Sequence, residues 1–317
     1  MSNRNERKLK VGVAQLAGIQ LSEQRDAVVR RMIALLEEAA ADGCKLVVFP
    51  ELAFTTFFPR YYYENIADVD VFFENSMPGD SAKPLFDRAR QLQVGFYIGY
   101  AELEADPASG KTTRYNTSIL VDETGRIVGK YRKIHLPGYA EYRPGKRNQL
   151  EKRYFAVGNL GFPVWQTMGG TLGMCICNDR RWPETYRVMG LQGVELLLLG
   201  YNTSAQNHAT HEPGHLRMFH HLLALQAGAY QNGTWIAASA KAGMEDGHGL
   251  IGGSCIIAPT GEIVARAVTE GDELITADCD LSLCDYIKST VFDFARHRRV
   301  EYYGRITEGA PGATAGR

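Results

Sequence analysis

The feature that most constrains the fold of this chain is a repeated alternation of strand-length apolar runs with stretches of helical periodicity. Residues 11–16 and 45–49 favour strands, whereas residues 23–41 place apolar side chains at helical spacing and end before Gly43. Strands that alternate with helices predict a mixed α/β sheet with helices packed outside it. Further strands are predicted at residues 94–100, 116–121, 127–131, 172–176, 194–199, 234–239, 254–258, 262–265 and 274–277. Further helices are predicted at residues 82–92, 183–191 and 215–230, with one more beginning at Leu281.

Two similar hairpins interrupt this alternation. One turns at Asp122-Glu123-Thr124-Gly125 and the other at Pro259-Thr260-Gly261, each between two short strand patterns. This repetition predicts two related halves, each with its own sheet. The periodicity alone is equally compatible with one doubly wound sheet.

The chain is longer than a typical single domain, with 317 residues, but α/β folds of this length can form one unit. We predict one domain over residues 10–306. A flexible leader would precede it at residues 1–9, and a disordered tail would follow at residues 307–317. The leader is charged and lacks the apolar centre of a signal peptide.

The composition argues against several classes of partner. A net charge of −1 gives no basic surface for nucleic acid in bulk, and no apolar run has the length of a membrane span. Cysteines spread through a large chain without an export signal favour reduced thiols and a cytoplasmic location. The six cysteines are Cys44, Cys175, Cys177, Cys255, Cys279 and Cys284.

The sequence does not predict a metal site. Cys175 and Cys177 are too close together for a zinc knuckle, and no second pair lies nearby. A separate histidine cluster contains His208, His211, His215, His220 and His221. Because a proline and a glycine lie between His211 and His215, these two are not expected on one helix face, and a substrate-covering loop is favoured. We expect no metal and no cofactor.

Three side chains with complementary chemistry each follow a predicted strand. They are a carboxylate at Glu51, an ammonium at Lys133 and a thiol at Cys177. Loops converge at the carboxyl ends of strands in α/β sheets, and a thiol nucleophile needs a base and a donor for the oxyanion it creates. Taken singly, each has an ordinary explanation, as a solvated loop carboxylate, a charged surface residue and an inert buried thiol.

The surrounding motifs resemble a known family. The stretches FPEL (49–52), KYRKIHLPG (130–138) and ICNDRRWPE (176–184) resemble the Glu-Lys-Cys motifs of the nitrilase superfamily of C–N hydrolases. Within it, KIHLPG, NDRR and GYNT (200–203) resemble the branch that hydrolyses N-carbamoyl-D-amino acids. The resemblance extends from about residue 10 to about residue 306. It implies a four-layer α-β-β-α sandwich of two mixed sheets.

The resemblance also implies a mechanism. Glu51 would be the general base, Lys133 would stabilise the oxyanion, and attack by Cys177 on a ureido carbonyl would release ammonia and leave a carbamoyl thioester. Water activated by Glu51 would then free a carbamic acid, which decomposes. The backbone N–H of Asn178 would be a second oxyanion donor, worth on the order of 3 kcal/mol. The substrate would be a small N-carbamoyl amino acid. The family pairs subunits through apolar helical surfaces, so a homodimer or homotetramer is expected.

A second glutamate accompanies the lysine in this resemblance. Glu151 matches the auxiliary glutamate of the superfamily, which would position Lys133 and the substrate amide. The branch commonly has histidine at the position of Gln149, so a side-chain contact from that position is in question. The ordinary explanation for Glu151 is a solvated loop residue beside Lys152.

Two arginines follow the nucleophile at Arg180 and Arg181. Guanidinium groups bind carboxylates through two parallel hydrogen bonds, so this pair predicts a substrate with a free carboxylate. We expect one of them to contact the substrate, while the other can pair with Asp179 or Glu184. Asn202 matches a substrate-contacting asparagine of the family; otherwise it is a turn residue.

Several alternatives remain. His135 lies two residues after Lys133, so a Cys/His pair is a rival mechanism. A β-ureido acid hydrolase, an aliphatic amidase or a nitrilase would use the same three side chains, and the arginine pair argues against them. A catalytically silent scaffold relative would have lost one of Glu51, Lys133 and Cys177, and none is lost.

Overall fold

Two mixed sheets pack face to face in the computed structural model, which describes residues 6–206 and 212–309. The strands are β1 (Lys8–Ala17), β2 (Leu46–Val48), β3 (Phe73–Glu74), β4 (Gly95–Ala105), β5 (Thr112–Val121), β6 (Ile127–Arg132), β7 (Val164–Thr167), β8 (Gly170–Ile176), β9 (Leu196–Tyr201), β10 (Trp235–Glu245), β11 (His248–Ile251), β12 (Cys255–Ile257), β13 (Ile263–Arg266) and β14 (Glu273–Asp280). The helices are α1 (Arg25–Ala41), α2 (Lys83–Leu92), α3 (Glu151–Tyr154), α4 (Pro183–Leu191), α5 (Gly214–Asn232), α6 (Ser282–Lys288), α7 (Phe294–His297) and α8 (Gly304–Thr307). Short 3-10 segments lie at Phe58–Arg60, Ile66–Phe72, Cys177–Arg181 and Val300–Tyr302.

The two sheets share one strand arrangement. Their orders are β6-β5-β4-β2-β1-β14 and β7-β8-β9-β10-β12-β13. A short parallel pairing of Leu16 and Ala17 in β1 with Lys241 and Ala242 in β10 joins the two sheets at one end. Each has three parallel strands in the middle, a hairpin on one side and a single antiparallel strand on the other. The hairpins β5–β6 and β12–β13 are the two that the sequence predicts. The prediction of two related halves is therefore confirmed.

The core lies mainly between the sheets. Side chains alternate along β2, so that Leu46 and Val48 enter the inter-sheet core while Val47 packs with apolar residues of α1 and α2. On the opposite side, Tyr186 of α4 and Leu225 of α5 pack on the second sheet. Helix, sheet, sheet and helix thus form four layers. The sandwich is confirmed, and the alternative of a single doubly wound sheet is wrong.

Two glycines allow both sheets to approach the residue that follows β2. A Cβ at Gly200 of β9 would lie 2.5 Å from the backbone N of Glu51, and a Cβ at Gly99 of β4 would lie 2.7 Å from Glu51 Cα. These separations are too short for any side chain, so only glycine permits this packing. Tyr97 of β4 also ties the sheets together, since its hydroxyl donates to Cys175 O (3.0 Å) and accepts from Gly200 N (3.0 Å).

The first strand begins earlier than expected. β1 starts at Lys8, which pairs with Asp280 of β14, and Arg7 forms an ion pair with Glu195. Residues 7–9, which were assigned to the leader, are therefore held against the domain. Residues 1–5 and 310–317, which belong to the predicted leader and tail, lie outside the described residues.

Apolar side chains are exposed on the outer helices. Val188 and Leu191 of α4 and Leu223 of α5 are 41%, 45% and 52% exposed, and Tyr302 is 78% exposed. Tyr186 and Met189, which also lie on α4, are instead buried within the chain and are not available for a subunit contact. Of the helices in the described part of the chain, none combines the length and apolarity needed to cross a bilayer.

We predict that these exposed residues form a subunit interface. Light scattering at micromolar concentration should give at least twice the chain mass of 35.2 kDa, because burying such a surface removes apolar area from water. Leu223→Asp should shift the protein toward monomers, whereas Val268→Asp, at an exposed site after β13, should not. A monomeric mass for the unmodified protein would contradict the prediction.

Candidate active site

The structure brings Glu51, Lys133 and Cys177 together between the sheets. Lys133 Nζ lies 2.8 Å from Glu51 Oε1. Asn202 connects the carboxylate to the thiol, because its backbone N–H donates to Glu51 Oε2 (3.0 Å) while its carbonyl O lies 4.0 Å from Cys177 Sγ. Base, cation and thiol, predicted from three distant motifs, therefore share one site.

Hydrogen bonds fix the orientation of the Glu51 carboxylate. The side chain of Asn116, on β5, donates to Oε1 (2.8 Å), the same oxygen that accepts from Lys133. The side chain of Asn202 donates to the backbone carbonyl of Glu51 (2.8 Å). Asn202 therefore positions the base directly, and its predicted contact with the substrate stays a prediction. Sequence reasoning missed Asn116, because an asparagine inside a strand carries no local signal of this contact.

Glu151 lies on the other side of the lysine. Its Oε2 accepts from Lys133 Nζ (2.5 Å), and its Oε1 accepts from the side chain of Gln149 (3.1 Å). Glutamine at position 149 thus makes a side-chain contact with the auxiliary carboxylate. Lys133, Glu51 and Glu151 are all fully buried.

These buried charges determine one another's ionisation. Burial disfavours the ammonium of Lys133, but the carboxylates of Glu151 and Glu51 outweigh it and raise its pKa well above the ordinary value. Burial raises the pKa of Glu151 to about 7, against the opposing effect of Lys133. Lys133 is therefore a permanent cation at neutral pH, suited to stabilise a developing oxyanion.

Cys177 occupies an unusual backbone position at the end of β8. Its φ is +46°, a left-handed conformation that is uncommon for residues other than glycine, and it begins the 3-10 segment Cys177–Arg181. Burial and the nearby Glu51 raise the pKa of the thiol, while Lys133 and Arg180 lower it. The resting group is therefore a thiol, which requires a base. As the second residue of the segment, Asn178 has a backbone N–H with no acceptor inside the helical turn.

His135 is directed toward a carboxylate instead of the nucleophile. Its Nδ1 lies 2.8 Å from Asp179 Oδ1, and its ring stacks on Trp182 with the centroids 4.8 Å apart. Asp179 also accepts from the backbone N–H groups of His135 (2.9 Å) and Ile176 (3.1 Å), so it anchors the turn that carries Cys177. Within the described residues, no hydrogen bond joins His135 to Cys177. The rival Cys/His mechanism therefore lacks the required contact.

The two arginines after the nucleophile occupy different environments. Arg180 is 1% exposed and donates to Cys177 O (2.6 Å), Thr203 Oγ1 (2.8 Å) and His221 Nδ1 (3.0 Å). It supports the nucleophile turn from inside the protein, so its prediction as a substrate-binding residue does not agree with its position. Arg181, in contrast, faces the cavity.

A cavity of about 440 Å³ opens onto Cys177. This volume is in the range of small-molecule sites. Asn178, Arg181 and Asn202 also line it. The Arg181 side chain is accessible to solvent and has no hydrogen bond or ion pair with any residue of the described part of the chain. Partial burial and the neighbouring Arg180 and Arg217 lower its pKa to about 10, which leaves it charged at neutral pH.

The structure describes three members of the histidine cluster, His215, His220 and His221, all on α5. His208 and His211 lie outside the described residues, His220 contacts Glu212 (2.7 Å), and His221 lies between Arg180 and Tyr201. Within residues 6–206 and 212–309, no group of three or more histidine, cysteine or acidic side chains could hold a metal ion.

Comparison with known proteins places this site in context. The family model described as carbon-nitrogen hydrolase matches residues 10–289. An N-carbamoylputrescine amidase from Arabidopsis thaliana is 32% identical over 85% of this chain and 86% of its own length. A citrullinase from Francisella tularensis is 28% identical over 94% of this chain and 98% of its own.

A solved structure shows the same fold. A carbon-nitrogen hydrolase from Helicobacter pylori superimposes with a TM-score of 0.80 and 25% identity, covering 95% of this chain and 99% of that one. The family match, the relatives and the shared fold extend over nearly the whole chain. The chain therefore belongs to the carbon-nitrogen hydrolase family of the nitrilase superfamily and is a hydrolase of non-peptide C–N bonds in amides or carbamoyl compounds.

Proposed function

We propose that the protein hydrolyses N-carbamoyl-D-amino acids to the D-amino acid, carbon dioxide and ammonia. The observation that carries this proposal is the position of Arg181, a cation without an ion-pair partner among the described residues, in the cavity that contains the nucleophile. A guanidinium group beside the reacting thiol suits a substrate with a free carboxylate, which a simple nitrile or aliphatic amide lacks.

The first half-reaction forms a thioester. Glu51 removes the proton of Cys177, and the sulfur attacks the ureido carbon. Lys133 Nζ and the backbone N–H of Asn178 stabilise the resulting oxyanion. Glu51 then gives the proton to the terminal amino group, the C–N bond breaks, and ammonia leaves. The carbonyl carbon remains bound to sulfur and to the nitrogen of the amino acid.

The second half-reaction releases the product. Glu51 takes a proton from water, and the hydroxide adds to the thioester carbon. The C–S bond breaks, Cys177 recovers its proton, and the N-carboxy amino acid departs and loses carbon dioxide. One carboxylate acts in both halves, which agrees with its fixed orientation by Asn116, Lys133 and Asn202.

Two further observations support the carbamoyl substrate and its D configuration. One relative is named for N-carbamoylputrescine, a compound that carries the same carbamoyl group. The D configuration is proposed from the resemblance of KIHLPG, NDRR and GYNT to the D-selective branch. Within these motifs, Gly138, Arg181 and Asn202 line the cavity.

The test is a comparison of four substrates with the purified protein. N-carbamoyl-D-alanine should release carbon dioxide much faster than its L enantiomer, and faster than the α-amide or methyl ester of the D acid; carbon dioxide is measured because the α-amide also contains releasable ammonia. Arg181→Gln should raise KM for the acid by about ten- to a hundredfold, because a charge-assisted bidentate contact is worth roughly 1.5–3 kcal/mol. Arg88→Gln, on the remote surface of α2, is the matched control.

The effects of Arg181→Gln and of neutralising the substrate carboxylate should not add in the free energy of substrate binding, because both changes delete the same interaction. Arg181→Gln should therefore have little effect on the neutral ester. If the unmodified protein turns over neutral and acidic substrates equally well, the carboxylate is not recognised and the protein is a general amidase. A preference for the L enantiomer would contradict the proposed stereochemistry.

A further inference from the structure

The cavity carries more positive charge than one carboxylate requires. Four arginines line it: Arg60, Arg147, Arg181 and Arg217. Arg60 is paired with the buried Glu245 (3.0 Å), and Arg217 is paired with Glu212 (3.3 Å). Arg147 and Arg181 have no ion pair or hydrogen bond with the described residues. No acidic side chain from those residues lines the cavity. Two cations are therefore available to a ligand.

Arg147 lies on a segment that is held in place. The side chain of Asn148 donates to the carbonyls of Arg143 (3.0 Å) and Lys146 (2.8 Å), which fixes the turn that carries it. The following residue, Gln149, holds the auxiliary carboxylate. Arg147 and Arg181 come from different segments, one before α3 and one after β8. They can therefore contact different groups of one ligand.

The ionisation of neighbouring groups indicates a positive potential in the cavity. Burial lowers the pKa of His248, a lining residue, and the charges of Arg60 and Arg147 lower it further. The pKa of Arg181 is lowered in the same direction by neighbouring arginines. An anionic ligand would relieve this repulsion, and a dianion would do so more completely.

We propose that the preferred substrate is an N-carbamoyl derivative of an acidic amino acid, in which Arg181 holds the α-carboxylate and Arg147 holds the side-chain carboxylate. This inference rests on the proposed function and specifies its substrate class. The fork of donors on a guanidinium group matches a carboxylate, and a cavity of about 440 Å³ accommodates a molecule of this size.

The experiment compares matched acid and amide side chains. The substrates are the N-carbamoyl derivatives of D-aspartate, D-asparagine and D-alanine, and the free amino acid is measured chromatographically, since a side-chain amide also contains releasable ammonia. The unmodified protein should favour the aspartate derivative over the asparagine derivative by about tenfold in kcat/KM. Arg147→Gln should remove this preference by lowering kcat/KM for the aspartate derivative about tenfold, with a smaller effect on the asparagine and alanine derivatives, and Arg147→Lys should retain part of the preference.

Lys146→Gln removes the adjacent positive charge, which does not line the cavity, and should leave the preference intact. Turnover of the alanine derivative without a preference for aspartate would overturn this inference alone. If Arg147→Gln slows the alanine and aspartate derivatives equally, Arg147 holds the α-carboxylate and the inference is wrong. If no N-carbamoyl amino acid is hydrolysed, the proposed function fails and this inference fails with it.

Discussion

Replacing Cys177 with alanine should abolish hydrolysis, with a loss of about six orders of magnitude in kcat, because no other group can form the thioester. Cys177→Ser should be nearly as inactive, since the site is arranged for a thiol. The fold should persist, because the side chain is small and alanine differs from it only by the loss of the sulfur atom. The measurement is a steady-state assay of ammonia release, with circular dichroism as the test of folding.

Cys175 provides the matched control for this prediction. It lies two residues earlier on β8 and is fully buried, but unlike Cys177 it does not line the cavity, so a substrate there cannot reach its thiol. Cys175→Ala should retain substantial activity. An essential Cys175 together with a dispensable Cys177 would show that the nucleophile has been assigned to the wrong residue.

Lys133→Ala should affect both catalysis and stability. It removes the cation that stabilises the oxyanion, so kcat should fall by several orders of magnitude. It also leaves Glu51 and Glu151 buried without their counter-charge, which should cost about 3–5 kcal/mol in the free energy of unfolding. Lys130→Ala removes a more exposed ammonium, paired with Glu102, and should change neither property greatly.

The stability loss of Lys133→Ala should depend on pH. Burial already raises the pKa of Glu151 above its unfolded value, and removing the ammonium of Lys133, which opposes that shift, raises it further. A carboxyl group of this kind favours the folded state below its unfolded pKa and loses that contribution as the pH rises through its folded pKa. The difference in melting temperature between the variant and the unmodified protein should therefore be larger at pH 8 than at pH 5. Equal differences at both pH values would argue against a buried charge imbalance.

Sequence reasoning grouped Glu51, Lys133 and Cys177 into one candidate site because each follows a strand within a distinctive motif, and the structure places them together. It could not separate Arg180 from Arg181, since neighbouring residues on a tight turn point in different directions. Their environments are set by distant partners such as His221, which contacts Arg180 from α5. Asn116 was missed for a similar reason, because its contact with Glu51 arises only when two strands are placed side by side.

The sequence likewise predicted the individual elements of the fold but not the arrangement of its layers. The apolar spacing of residues 23–41 anticipated α1, and the two turn sequences anticipated the hairpins. Periodicity could not distinguish two sheets from one, because the face on which a buried strand packs is a property of the assembled layers. The duplicated strand order settles the question, since each half repeats the same parallel and antiparallel neighbours.

The close approach of Gly99 and Gly200 to Glu51 bears on which substitutions can change the turnover of the enzyme. Glu51 and Lys133 follow strands of one sheet, whereas Cys177 and Asn202 follow strands of the other. The distance over which the proton travels from sulfur to carboxylate is therefore set by the tertiary alignment of two halves, and no single segment determines it. Substitutions deep in the inter-sheet core, far from any substrate, can alter turnover by sliding one half against the other. In the proposed mechanism, the alignment of the two halves thus contributes to the rate of proton transfer.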